Sequence, residues 1–382
     1  MQNEKSLDGL RGVAAFIVVI HNYLLGFYPS TYSGNMDTIR TNSGIDATLA
    51  STPINILYNG NVSVCIFFVL SGYVLSYKFF KYSDKNIITS SAIRRYLRLM
   101  IPVLFSIIVA YVFMKFKLFY NSDVAIITGS DWWLANFYNF TPNIFEMLKQ
   151  GAYGVFFLNE SSYNAVLWTM HYELFGSFVV FGIISIFGNI RNRSIIYIVC
   201  ILLTYNTYYL AFILGIILSD ANSNCDKFIN SFNSKYLKIF LLVIGLILCS
   251  YPSGIDVKET IYEYMRIPKI DDIVAFYHIL GSFLIIIILL KSDILKRFFA
   301  LKIPLFFGKI SFSMYIIHLI ILCSFSSFLF SKIINNFRYY QAFIIMLMIS
   351  LIIIILISYY IYKYVDCIAI KLSKKIYKKY FS

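Results

Sequence analysis

The chain has 382 residues, of which 59% are hydrophobic and only 14% charged. Soluble domains carry about 25% charged residues, so this composition excludes a soluble globular protein and leaves little mass outside a membrane. The formal net charge of +14 does not indicate a nucleic-acid partner, because Lys and Arg gather at the ends of apolar stretches, as at 291–302 and 371–379, where the positive-inside rule puts them.

A helix needs about 20 residues to cross the hydrocarbon core. The apolar stretches predict spans near 10–28, 62–80, 100–119, 164–188, 194–206, 208–220, 236–251, 272–290, 305–330 and 341–364. The pair at 194–220 is weakest, its short halves joined by Thr204-Tyr-Asn-Thr-Tyr-Tyr209. The expected fold class is all-α, a polytopic membrane helix bundle of about ten transmembrane helices in which residues 1–382 form one integral membrane domain. With both termini cytoplasmic, the inner segments hold 23 of the 33 Lys and Arg, Lys227 among them, and every inner loop is basic. The N-terminus carries acids and lacks a small-residue cleavage site after the first span, so that span is expected to be retained.

The larger loops, 29–61, 120–163 and 252–271, then fall outside. The second contains Asp131-Trp-Trp133 and Tyr153-Gly-Val-Phe-Phe157, runs suited to stacking on a sugar or to anchoring at the membrane interface. The cysteines (65, 200, 225, 249, 323 and 367) show no metal-ligand spacing and read as small buried hydrophobes, so no metal is expected.

Ionisable residues inside spans are costly and mark function. All four histidines, His21, His171, His278 and His318, fall within predicted spans, and histidine is the side chain suited to proton transfer near neutral pH. In the first span Asp8-Gly-Leu-Arg11 leads to His21, which at 1.5 Å per residue lies about 15 Å further along the helix. Arg11 also reads as a snorkelling basic residue, and His21 as a polar interhelical contact.

Phe67-Phe-Val-Leu-Ser71-Gly-Tyr73 places a Ser-Gly step where a neighbouring helix or a ligand can approach the backbone. In Ser90-Ser-Ala-Ile-Arg94-Arg95-Tyr-Leu-Arg98-Leu-Met-Ile-Pro102, Arg94 and Arg98 share a helix face. Their guanidinium forks suit phosphate, and an interfacial helix on anionic lipid is the alternative. In Leu167-Trp-Thr-Met-His-Tyr-Glu173 the acid is affordable only if paired: it orients a catalytic group, or it forms a salt bridge with Lys309 or Arg11. Ser311, Tyr315 and His318 fall on one helix face directed into the bundle, whereas His278 reads as packing.

These five segments, in this order, resemble the membrane acyltransferase family 3, whose members acylate cell-envelope carbohydrates and related acceptors. The resemblance implies acetyl-CoA as acyl donor from the cytoplasm, a glycan or lipid-linked oligosaccharide acceptor on the outer side, and residence among the lipids of the cell (inner) membrane. It implies His21 as the catalytic histidine, Arg11 as its motif partner and Glu173 as an orienting or pairing acid. It makes Arg95 to Pro102, with Arg98, the basic motif facing the phosphates of coenzyme A, and Arg94, Ser71 and Tyr73 are counted beside it as candidate donor-binding residues.

The chain departs from the family pattern in two places. Nine residues separate Arg11 from His21 where the family has ten, and Tyr364-Val-Asp366-Cys-Ile lacks the basic residue and proline of the family's C-terminal run. At 100° per residue, ten steps leave His21 about 80° from Arg11. Either the helix is locally irregular, as a short 3₁₀ stretch would make it, or the two residues act on different faces. The competing reading is a transporter or flippase for a lipid-linked sugar, with the same residues lining a pathway. A glycan polymerase would need larger outer loops.

Overall fold

The computed structural model describes residues 2–224, 234–267 and 270–381, with side chains from Lys5 onward; Cys225 and Lys227 lie outside the described residues. Among the described residues all regular structure is helical. The ten principal helices are α1 Gln2–Phe27, α2 Gly60–Tyr82, α3 Lys85–Lys115, α4 Trp168–Phe187 and α5 Arg193–Thr204, then α6 Tyr209–Asn224, α7 Lys235–Cys249, α8 Ile273–Lys291, α9 Lys302–Ile321 and α10 Tyr339–Ile361. Each overlaps a predicted span. Seven helical stretches are long and apolar enough to cross a membrane; α5, α6 and α7, at 12, 16 and 15 residues, are shorter.

Three boundaries differ from the sequence expectation. Helix α3 starts fifteen residues before the predicted 100, so the Arg94–Arg98 motif and the apolar span form one helix that carries Pro102 inside it. After α10 a π-helical turn, Tyr362–Asp366, leads directly into α11, Cys367–Tyr380, whose Lys371, Lys374, Lys375, Lys378 and Lys379 mark a basic surface helix. The third lies in the expected outer loop. Ile144–Lys149 and the π-helix Gln150–Leu158 pack against α3 and α4. The Tyr96 hydroxyl donates to the Ala152 carbonyl, and His171 Nδ1 bonds the Phe156 carbonyl at 2.8 Å. Gly151 permits the approach to α3, since a Cβ there would meet Leu104.

Helix α1 is the central element. Its first half joins a core with α2, α6 and α8 through Leu7, Leu10 and Ala14. Its second half joins a core with α3, α9 and α10 through Val18, Val19, Tyr23 and Phe27. Within a bilayer, helix association rests on close packing of small residues. A Cβ on Gly12 would strike the Gly308 backbone, and one on Gly308 the Asp8 carbonyl. Gly12 and Gly308 are therefore the seam that brings α1 against α9. Gly72 does the same for α2 and α6: its Cβ would meet the Phe212 carbonyl. That contact commits the glycine of the Ser-Gly step to a neighbouring helix and turns Ser71 toward α4.

Candidate active site

Two cavities lie along α1. The first, about 320 Å³, is bordered by α1, α2, α3, α4, α9 and the α10–α11 junction. Four cations, Arg11, Arg95, Arg98 and Lys309, line it against two acids, Glu173 and Asp366. Arg95 is held by an ion pair with Glu173 and by its Nε on Ser177 Oγ at 2.7 Å. Ser71 Oγ donates to Glu173 Oε1 at 2.6 Å. Glu173 thus finds Arg95 as its partner in place of the expected Lys309 or Arg11. Arg11 Nη1 lies 3.3 Å from Asp8 Oδ1, one turn away. Among the described residues Arg98 and Lys309 form no ion pair within 4 Å, and Arg98 shares the cavity with Asp366, whose carboxyl feels its charge.

Arg95 and Arg98, three residues apart, are the members of the basic motif that reach this cavity. Arg94 does not; its Nε bonds the Ser90 carbonyl at 2.8 Å. Tyr73 is also absent from the lining. It is buried on the far face of α2, its hydroxyl bonded to Asn222 Nδ2 at 3.0 Å and its ring stacked on Tyr77. Helical geometry explains Tyr73, since two steps from Ser71 turn it by about 200°. Arg94 and Arg95 flank Arg98 at about 40° and 60° on either side, and the cavity opens on the Arg95 side, where Glu173 and Ser177 of α4 hold that guanidinium.

The second cavity, about 260 Å³, contains His21 and is walled by Tyr32, Trp132, Trp133 and Trp168. No Asp, Glu, Lys or Arg lines it. His21 Nδ1 lies 2.9 Å from the Tyr58 carbonyl oxygen. A carbonyl can only accept, so Nδ1 carries the hydrogen and Nε2 keeps its lone pair. Nε2 has no hydrogen-bond partner among the described residues. The ring packs edge-on to Tyr32, centroids 5.8 Å apart. Gly60 makes room for it, since a Cβ there would come within 2.5 Å of His21 Cδ2. Burial holds the Tyr32 hydroxyl above its ordinary pKa, so it faces the cavity as a neutral group.

Val64 and Tyr315 line both cavities. Tyr315 is fixed by its hydroxyl, 2.7 Å from the Val166 carbonyl and 2.8 Å from Thr169 Oγ1. The residues singled out from sequence therefore divide: Arg11, Ser71, Arg95, Arg98 and Glu173 meet in one cavity, and His21 stands in the next. Sequence reasoning passed over Asn61, Trp168 and Gly60 in the second cavity, and weighed Asn22 only to set it aside because an amide cannot serve as a base. Only Trp168, inside the Leu167–Glu173 motif, carried a usable signal.

Such a bundle, with a cationic cavity and a histidine-bearing aromatic cavity meeting at two shared residues, is a polytopic membrane protein equipped for group transfer. The acyltransferase domain of family 3 matches residues 4–363, and the chain belongs to that family. Among similar proteins, O-acetyltransferase PaAT-1 of Phomopsis amygdali is 23% identical over 434 residues, covering 98% of this chain and 84% of the relative. Acyltransferase clz18 of Cochliobolus lunatus is 23% identical over 398 residues, covering 85% of this chain and 84% of the relative. No solved structure matches the chain. It is a membrane acyltransferase.

Proposed function

We propose that the chain transfers an acetyl group from cytoplasmic acetyl-CoA to a sugar hydroxyl of a cell-surface polysaccharide or its lipid-linked precursor, in the inner membrane. The observation that carries this reading is the pair of unlike cavities meeting at Val64 and Tyr315, one cationic and one uncharged with a free imidazole nitrogen. Arg98, Lys309, Arg11 and the Glu173-held Arg95 match the phosphates of a nucleotide-linked donor. The basic loops and the α11 lysines support a cytoplasmic side for this end of the bundle. A thioester supplies an already activated acyl group.

His21 Nε2 takes the proton of the acceptor hydroxyl as its oxygen bonds the acyl carbon. The carbon–sulfur bond breaks, and the departing thiolate recovers a proton from the imidazolium. Nδ1, anchored on Tyr58, fixes the ring so that one nitrogen serves both transfers. A general base of this kind contributes about 10²–10⁴-fold, and bringing donor and acceptor together at one imidazole supplies more.

The test is incubation of membranes holding the full chain with labelled acetyl-CoA, followed by recovery of the envelope glycan. Label in glycan that disappears with His21→Ala is expected; full labelling by that variant would overturn the assignment. Movement of a lipid-linked sugar without label would instead favour the transporter reading.

A further inference from the structure

Three of the chain's four histidines surround the uncharged cavity, two of them indirectly. His318 is fully buried on α9; its Nδ1 is 3.1 Å from the Met314 carbonyl and its Nε2 is 2.6 Å from Asn22 Nδ2. His278 is fully buried on α8; its Nε2 is 2.8 Å from the Tyr251 carbonyl and its Nδ1 is 2.9 Å from Asn61 Nδ2. Neither forms an ion pair among the described residues. In each ring the nitrogen on the carbonyl must donate, so the other accepts from the asparagine amide. That order fixes which way each amide points. Asn61 Oδ1 accepts from the Tyr208 hydroxyl at 2.8 Å, which leaves the second Nδ2 hydrogen of Asn61 to donate. Asn22 Oδ1 has no partner among the described residues and is left to accept.

Both asparagines line the cavity of His21. The chain has three tryptophans, and Trp132, Trp133 and Trp168 all line this same cavity. Flat aromatic walls, one fixed acceptor, one fixed donor and no charge are the chemistry that recognises a neutral polyhydroxylated ring. A carboxylate or phosphate on that ring would find no cation and would lose its water without compensation. At about 260 Å³ the space lies near the lower end of ligand pockets, roughly 300–1,000 Å³, which limits it to about one ring.

Resting on the acyl-transfer reading, we infer that the acceptor group bound beside His21 is a single uncharged sugar ring, selected by Asn22 and Asn61, with His318 and His278 as positioning residues that lock the two amides. Asn22→Asp places a negative charge in an uncharged cavity and removes the donor that His318 Nε2 needs.

The experiment uses the full chain in lipid nanodiscs. Oligosaccharides released from the host's envelope glycan are separated into neutral and acidic fractions, and each is titrated while tryptophan emission is followed, every tryptophan being at the site. The same fractions are offered with labelled acetyl-CoA. Quenching by the neutral fraction, with label on an uncharged residue, is expected. Quenching by neither fraction, or label on a uronic, sialic or phosphorylated residue, overturns the inference. Quenching by the neutral fraction without transfer upholds the sugar site and rejects the acyl-transfer reading. Asn22→Asp and His318→Leu are each expected to raise the acceptor KM about tenfold or more while the KM for acetyl-CoA stays within about twofold. Equal loss in both KM values would signal damaged folding and overturn the positioning role.

Discussion

Arg11 and His21 stand on one uninterrupted α-helix, yet each lines a different cavity. The helix needs no 3₁₀ correction, because the two side chains do not have to converge. Arg11 lies with Arg98 and Lys309 in the cationic cavity, and His21 with the tryptophans in the uncharged one. On the proposed reading, their separation along and around α1 assigns one residue to the donor and the other to the hydroxyl.

The fit of Gly60 against the His21 ring makes that glycine a sensitive position. Gly60→Ala brings a methyl group within 2.5 Å of Cδ2, and the imidazole must turn away from the Tyr58 carbonyl. Small misplacements of a catalytic group cost up to about 10²-fold. We expect kcat to fall at least tenfold with protein level and donor KM unchanged; steady-state kinetics in membranes checks this.

Arg95 and Arg98 should respond differently to truncation. Arg95 is buried against Glu173, so Arg95→Ala leaves an uncompensated acid and costs about 3–5 kcal/mol, read as a lower unfolding temperature. Arg98→Ala is expected to leave that temperature unchanged and to raise the KM for acetyl-CoA. Arg95→Gln with Glu173→Gln should recover stability without recovering donor affinity. Thermal unfolding beside donor-concentration series separates the cases.

Donor binding should weaken with salt. Part of the charge facing that cavity is unpaired, and added salt shortens the screening length to about 8 Å at 0.15 M and about 3 Å at 1 M. The KM for acetyl-CoA is expected to rise with sodium chloride, more steeply in the parent than in Arg98→Ala. Parallel slopes would remove Arg98 from the phosphate site.

A half-buried fork ties α5 to α6: Arg193 Nε and Nη2 lie 2.8 and 2.7 Å from the two Asp220 oxygens, and Tyr197 Oη is 2.8 Å from the same carboxylate. Asp220→Ala is expected to destabilise the short helix pair by about 1.5–3 kcal/mol with both KM values unchanged in protein that folds. Unfolding scans with kinetics on the surviving fraction provide the check.

The candidate site was only partly legible in the sequence. Apolar runs marked helices α1 to α10, of which α1–α4 and α8–α10 fall in the seven stretches, among the described residues, long and apolar enough to cross a membrane, because in a bilayer each backbone polar group must be satisfied within its own segment and the hydropathy pattern is strong. The polar residues inside those runs stood out for the same reason, and Arg11, His21, Ser71, Arg95, Arg98 and Glu173 all reach a cavity. Sequence spacing placed Arg94 beside Arg98 and counted Tyr73 with Ser71. Which face of each helix meets the cavity depends on the neighbouring helix, and that information lies in contacts such as Gly72 on Phe212.

His278 shows the limit most clearly. In sequence it is a lone histidine before an apolar run; in the fold it locks Asn61, 217 residues away in the chain. What the sequence determined by itself was the membrane, the helices and the residues too costly to bury idly. What the tertiary structure alone decided was how those residues divide: cations on one side of Val64 and Tyr315, an uncharged aromatic chamber on the other. The reason is physical: hydropathy is a local property of a segment, whereas a cavity is made by faces of helices far apart in the chain.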